Sequence, residues 1–250
     1  VPQILARVQG VTSLEDAARD ADFVIESVAE ELAVKQTIFK QLDQLCPERT
    51  IFATNTSGLS PSAVAEAVSR KDKFVVAHFW NPPHLVPLVE VVPGKFTAQK
   101  TVDVTWELME KIGKKPVALK REALGFIGNR LQLAMLREAL YIVQEGIATP
   151  EAVDATVRYS LGRRYGVTGP LESADLGGLD IFQNISAYLY KDLCNDPSSS
   201  PLLAETVARG DLGAKTGKGF YDWTNPEVLG KLKKERETVL IEWLQKDKKQ

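Results

Sequence analysis

Glu90 lies in the run Leu88-Val89-Glu90-Val91-Val92, where each neighbour favours burial. A carboxylate in such a strand is costly unless it is paired or hydrogen-bonded. Glu90 therefore needs a partner. His78 closes a second apolar run, Val75-Val76-Ala77-His78, and is the obvious candidate. A histidine held by a carboxylate is an oriented base that works near neutral pH. The same spacing also suits a buried structural pair, or a Glu90 turned to solvent on an edge strand. Asn55-Thr56-Ser57-Gly58 follows the strand-like TIFAT and places hydroxyl and amide groups at a strand end. Ligands of open α/β sheets bind beyond such carboxyl ends, although polar turn residues are common there for other reasons. Trp80-Asn81-Pro82-Pro83 reads as a rigid loop able to wall a site, with His84 as a surface histidine. Asn129, in Gly125-Phe126-Ile127-Gly128-Asn129-Arg130, is a polar residue at the start of an apolar helix. It could bond a ligand or satisfy a loop.

The elements that must hold these residues alternate in the front half. Apolar, β-branched runs predict strands at 22–28, 50–54, 73–79, 86–92 and 115–119. Helical patterns fall between them at 13–21, 30–46, 60–69 and 97–112, with Ser13 and Ser60 as N-caps and Pro61 at the first helical position. Alternation of this kind implies an α/β fold with a largely parallel sheet covered on both faces. Past Lys120 only helices are predicted, at 125–145, 150–159, 171–191, 201–209 and 227–246. The boundary is expected between 120 and 125. The basic flank of the last helix (Lys231, Lys233, Lys234, Lys246, Lys248, Lys249) reads as a solvated face rather than a membrane anchor.

Composition narrows the function classes. The chain has 250 residues, 44% hydrophobic and 26% charged, which is ordinary for a globular protein and argues against disorder. A net charge of −2 argues against a nucleic-acid partner. No apolar run approaches the roughly 20 residues of a membrane span, and no signal peptide is visible, so the expectation is a cytoplasmic protein without a membrane partner. Two cysteines, Cys46 and Cys194, fit idle thiols in a reducing compartment, and two histidines argue against a multi-histidine metal site.

The stretches ESVAEELAVK, IFATNTSGLS, HFWNPPHLVPLVEVVPG, GFIGNRL, TGPLESADLGGLD and KTGKGFY run from Glu26 to Tyr221. Together they resemble the NAD-dependent L-3-hydroxyacyl-CoA dehydrogenases, including the 3-hydroxybutyryl-CoA dehydrogenases. The resemblance implies a Rossmann-type doubly wound sheet, incomplete here, over 1–120. An all-α substrate-binding and dimerisation domain follows over 121–250. It implies the interconversion of (S)-3-hydroxyacyl-CoA and 3-ketoacyl-CoA with NAD(H), as in fatty acid β-oxidation, by a homodimer. His78 matches the catalytic base and Glu90 the acid that orients it. Ser57 and Asn129 match groups that bond the substrate oxygens and polarise the 3-oxygen. Glu30, Lys35, Ser57, Asn81 and Lys215 match cofactor contacts.

One departure stands out. No G-x-G-x-x-G occurs; the first glycine is Gly10 and the next is Gly58. The family's opening glycine-rich turn and acidic residue hold the pyrophosphate and ribose. By resemblance roughly 70–80 residues, about two strand–helix units, precede Val1 in the family. The expectation is a piece of an intact enzyme, with a shortened inactive homologue as the alternative. The stretch from NPP to GPLE also resembles a branch that oxidises L-gulonate and is related to a lens crystallin. KTGKGFYDW speaks for the acyl-CoA branch, with a short acyl chain such as acetoacetyl.

Overall fold

The structure is a computed structural model that describes residues 2–247 and 249; Lys248 of the basic flank lies outside the described residues. Two compact units form, one of 1–130 with 237–250 and one of 131–236. The first unit opens with the short helices α1 (Pro2–Leu5) and α2 (Leu14–Ala18). It continues as β1 (Phe23–Glu26), α3 (Leu32–Leu45), β2 (Ile51–Thr54), α4 (Pro61–Ala65) and β3 (Phe74–Phe79). It closes with β4 (Leu88–Pro93), α5 (Gln99–Lys111) and β5 (Lys115–Ala118). The N-caps act as expected. Ser13 accepts from the Asp16 amide at 3.3 Å, and Ser60 from the Ala63 amide at 3.1 Å. Helix α4 is shorter than the expected 60–69 and ends at Ala65.

The five strands are ordered β1-β2-β3-β4-β5. The pairs β1–β2, β2–β3 and β4–β5 are parallel, but β3 and β4 are antiparallel. The sheet is therefore mixed, and β4 and β5 run against the first three strands. The physical reason is the length of the connection. Only residues 80–87 link β3 to β4, and a parallel crossover needs a dozen or more. The turn sets His78 directly opposite Glu90 in the register.

Side chains alternate across the sheet with a period of two. Ala53, Val75, Ala77, Val89 and Val91 point to one face, where Val102 and Met109 of α5 cover them. Phe52 and Phe74 point to the other, under Phe39 and Leu42 of α3 and Val64 of α4. Val76 and Val92 continue that second face and pack against Phe126. By parity His78 and Glu90 share it, away from α5.

The rest is helical: α6 (Gly128–Gln144), α7 (Pro150–Tyr159), α8 (Leu161–Tyr165), α9 (Pro170–Gly177), α10 (Leu179–Leu189), α11 (Pro201–Ala208) and α12 (Pro226–Asp247). The single helix expected at 171–191 is two. Gly178 takes φ 91°, a conformation open to glycine, and breaks the run there. Among the described residues no helix is long and apolar enough to cross a membrane.

Candidate active site

The carboxylate of Glu90 is 1% exposed and accepts four hydrogen bonds. His78 Nδ1 lies 2.9 Å from Oε2, and Trp80 Nε1 donates to the same oxygen at 3.2 Å. The backbone amides of Ile127 and Gly128 donate to Oε1 at 2.9 and 3.0 Å. Two donors on each oxygen fill the acceptor capacity of a carboxylate. Burial pushes the Glu90 carboxyl up, but the bonds from His78, Gly128, Ile127 and Trp80 outweigh it and hold the group below its ordinary value. An ionised Glu90 only accepts, so His78 Nδ1 carries the proton and Nε2 carries the lone pair. Among the described residues no buried side-chain nitrogen or oxygen lacks a partner, and Nε2 bonds to no protein atom. Nε2 is therefore the open nitrogen.

The two amides arrive through a strained turn. Gly125 has φ 73° and Phe126 has φ 54°, a left-handed conformation rare for a non-glycine residue. Phe126 is buried with its ring centroid 5.6 Å from the His78 ring. The turn aims the first amides of α6 at Glu90, where the helix dipole also favours negative charge. Gly128 has a second reason to be glycine. A Cβ there would stand 2.1 Å from a Trp80 ring carbon, so the indole occupies the space a side chain would need.

Beside the dyad a second network holds the loop after β2. Glu30 Oε1 accepts from Thr56 Oγ1 at 2.5 Å and from the Ser57 amide at 2.8 Å. Lys35, 1% exposed, bridges Glu26 at 2.8 Å and Glu30 at 3.3 Å. Thr54 donates to the other Glu26 oxygen at 2.6 Å. Burial raises the Glu30 carboxyl, yet Thr56, Ser57 and Lys35 bring it below its usual value. Asn129 Nδ2 donates to the Ser57 carbonyl at 2.8 Å. The Ser57 side chain is exposed, and its hydroxyl bonds to no protein atom. Asn55 accepts from the Phe79 amide at 2.8 Å and ties the end of β2 to the end of β3.

Known proteins resemble this arrangement along nearly the whole chain. Residues 1–123 match the 3-hydroxyacyl-CoA dehydrogenase NAD binding domain, and 125–223 match the C-terminal domain of the same family. The chain belongs to the 3-hydroxyacyl-CoA dehydrogenase family. The 3-hydroxybutyryl-CoA dehydrogenase of Clostridioides difficile is 40% identical over 222 residues, covering 88% of this chain and 77% of that protein. The 5-formyl-3-hydroxy-2-methylpyridine 4-carboxylate 5-dehydrogenase of Mesorhizobium japonicum is 35% identical over 234 residues, covering 94% of this chain and 75% of that protein. A solved structure of a 5-formyl-3-hydroxy-2-methylpyridine 4-carboxylic acid 5-dehydrogenase, an NAD+-dependent dismutase, has a TM-score of 0.89 at 35% identity. It covers 92% of this chain and 74% of that one.

The dehydrogenase uses NAD, and the residues present offer hydrogen-bonding groups of the kind that cofactor needs. Open polar groups gather at the carboxyl ends of β1, β2 and β3. They are the Glu30 carboxylate at 44% side-chain exposure, the Ser57 hydroxyl and the exposed Asn81 amide. Such groups can bond the amide and hydroxyl groups that NAD carries.

The structure thus brings together His78, Glu90, Ser57, Asn129, Glu30 and Lys35. The ammonium of Lys35 is wholly engaged by Glu26 and Glu30, so here it holds carboxylates in place rather than presenting charge. Lys215 lies in the second unit, exposed on a turn beside Gly213 and Gly217. Trp80, Glu26 and Thr54 were not singled out from the sequence as polar contacts. Glu26 ends the apolar strand β1 as a fully buried carboxylate, the same signal that pointed to Glu90. Glu122 was missed too. It accepts from Ser60 Oγ and Ser62 Oγ, each at 2.8 Å, and pins the segment before the turn to α4.

Proposed function

We propose that the dehydrogenase interconverts (S)-3-hydroxyacyl-CoA and 3-ketoacyl-CoA. The observation that carries this reading is the saturation of Glu90 by four donors, which leaves His78 Nε2 as the base. His78 takes the proton of the substrate 3-hydroxyl through Nε2. Glu90, bonded to Nδ1, keeps the ring oriented and stabilises the imidazolium that forms. The Ser57 hydroxyl and the Asn129 amide hold the substrate oxygens while charge develops on the 3-oxygen. Bound NAD supplies the hydride acceptor or donor. Glu30 and Asn81 bind its nicotinamide end.

The test is oxidation of NADH by acetoacetyl-CoA on the full natural chain, with and without His78→Gln. Turnover lost in a folded His78→Gln variant supports the reading, and near-normal turnover rejects it. A second substrate class is favoured by the 0.89 TM-score to the formylpyridine carboxylate dehydrogenase. A formyl group enters as its hydrate, whose hydroxyl offers His78 the same kind of proton. Reaction with an aromatic aldehyde acid and not with acetoacetyl-CoA would assign the chain to that class.

We also infer that the working form is a homodimer through the helical unit. Val167, Leu171 and Leu176 are 81, 81 and 79% exposed in the single chain. Apolar exposure on that scale marks a surface that a partner covers. Light scattering tests this, and a monomer at assay concentration would reject it.

A further inference from the structure

We infer that Trp80 is a positioning residue that sets the proton affinity of His78, by holding one acceptor site of Glu90 while its ring locks the start of α6. The inference takes His78 as the base and so rests on the reading above. Three observations converge on the indole. Its N–H donates to Glu90 Oε2, the same oxygen that receives His78 Nδ1. Its ring centroid lies 5.6 Å from that of the imidazole. Its six-membered ring fills the space a side chain at residue 128 would need, and the amide of that residue bonds the other Glu90 oxygen. Trp80 thus touches both the dyad and the element that anchors it.

The consequence is electrostatic. Each hydrogen bond a carboxylate accepts draws charge from the oxygen that receives it. With Trp80 and His78 on one oxygen, the indole lessens the pull of Glu90 on the imidazole proton. Without the indole N–H, that oxygen serves His78 alone and favours the imidazolium more strongly. The proton affinity of His78 then rises. The indole holds the histidine poised, while Glu90 holds it oriented.

Among the described residues no charged group other than Glu90 bonds His78. β4 contributes Glu90, and the turn before α6 contributes the uncharged Phe126. Next to β3, β2 ends in Thr54, whose hydroxyl goes to Glu26, itself paired with Lys35. Glu30 is bonded to Thr56 and Ser57, and Glu122 to Ser60 and Ser62.

The probe is the imidazole Cε1–H resonance on the full natural chain, with the signal that His78→Gln removes assigned to His78. Trp80→Phe should raise the titration midpoint of His78 by about half a unit to one unit. The acid limb of kcat/KM for oxidation of (S)-3-hydroxybutyryl-CoA should move up by the same amount. If Trp80→Phe does not fold, benzothienylalanine at residue 80 keeps the ring and removes only the N–H. An unmoved or lowered midpoint in either folded variant overturns the inference. The resonance needs no substrate. Absent turnover with the acyl-CoA would therefore count against the proposed reaction alone. An unmoved midpoint in an active enzyme would count against Trp80 alone.

Discussion

The sheet unit and the helical unit treat their apolar side chains in opposite ways. The first unit closes cores on both faces of its sheet, and Phe39, Phe52, Val75, Val89 and Met109 are wholly buried. In the second unit, only Leu140 and Thr206 are buried among the described residues. Its helices α7, α8, α9 and α10 bury no residue, although each carries large apolar side chains. The difference teaches where each unit gets its stability. A sheet between helices encloses its own core. A set of short helices with apolar groups left outward depends on a covering surface. The dyad sits in the first kind of unit, where dry surroundings strengthen the hydrogen bonds that offset the desolvation of its carboxylate.

The largest expected effect concerns the dyad. His78→Gln should lower kcat by at least about 100 to 10,000-fold, the usual contribution of a positioned base, with the far-ultraviolet spectrum unchanged. Glu90→Gln should also lose activity by orders of magnitude, since the ring loses its orienting charge. Normal activity in either would move the chemistry out of the sheet unit.

Stability separates the units next. Phe39→Ala in the first core should cost about 3–5 kcal/mol by urea unfolding, and the cost should not depend on protein concentration. Leu176→Asp in the second should instead shift the dimer towards monomer, an effect that fades as protein concentration rises. A Leu176→Asp protein that sediments like the wild type would break the contrast.

Acid and alkali should discriminate the units more gently. In the sheet unit, Glu30, Glu90 and Glu122 sit below their ordinary value of 4.5, because hydrogen bonds outweigh burial. The unfolded chain then binds more protons as pH falls. These groups contribute stability above about 4.5 and lose it as pH drops through their lower folded values. In the helical unit, Tyr221 donates to Asp154 at 2.7 Å; burial and that bond push its hydroxyl from 10.0 up to about 12. Its contribution is complete below the ordinary value and is lost as pH rises through the folded one. Pulsed hydrogen exchange across a pH series should show the first unit opening first in acid. The second should open first in alkali, and Tyr221→Phe should remove that alkaline step.

The smallest expected effect is at Asn129. Asn129→Ala removes one neutral hydrogen bond to the Ser57 carbonyl, worth about 1 kcal/mol by thermal unfolding. If Asn129 also holds the substrate, KM or kcat should suffer more than stability does.

Much of the fold was legible because its signals are local. Apolar, β-branched runs marked all five strands, and capping serines marked two helix starts. The mixed sheet could have been read from the eight residues between β3 and β4, a link too short for a crossover. The split at Gly178 was signalled by Gly177-Gly178 inside an apolar run. The burial of Lys35 was also within reach. It precedes Phe39 by one helical turn and Leu42 by two, so it faces the sheet with them.

By itself the sequence pointed to His78 as the partner of Glu90, since a carboxylate among valines needs one, while leaving a solvent-facing Glu90 open, and it determined the family through its motifs. Tertiary structure decided everything that holds that pair in one state. The amides of Ile127 and Gly128 lie 37 and 38 residues from Glu90, and the indole of Trp80 meets Gly128 across 48. No periodicity reports such approaches, because a hydrogen bond depends on ångström distances between elements and sequence spacing only orders the elements that make it.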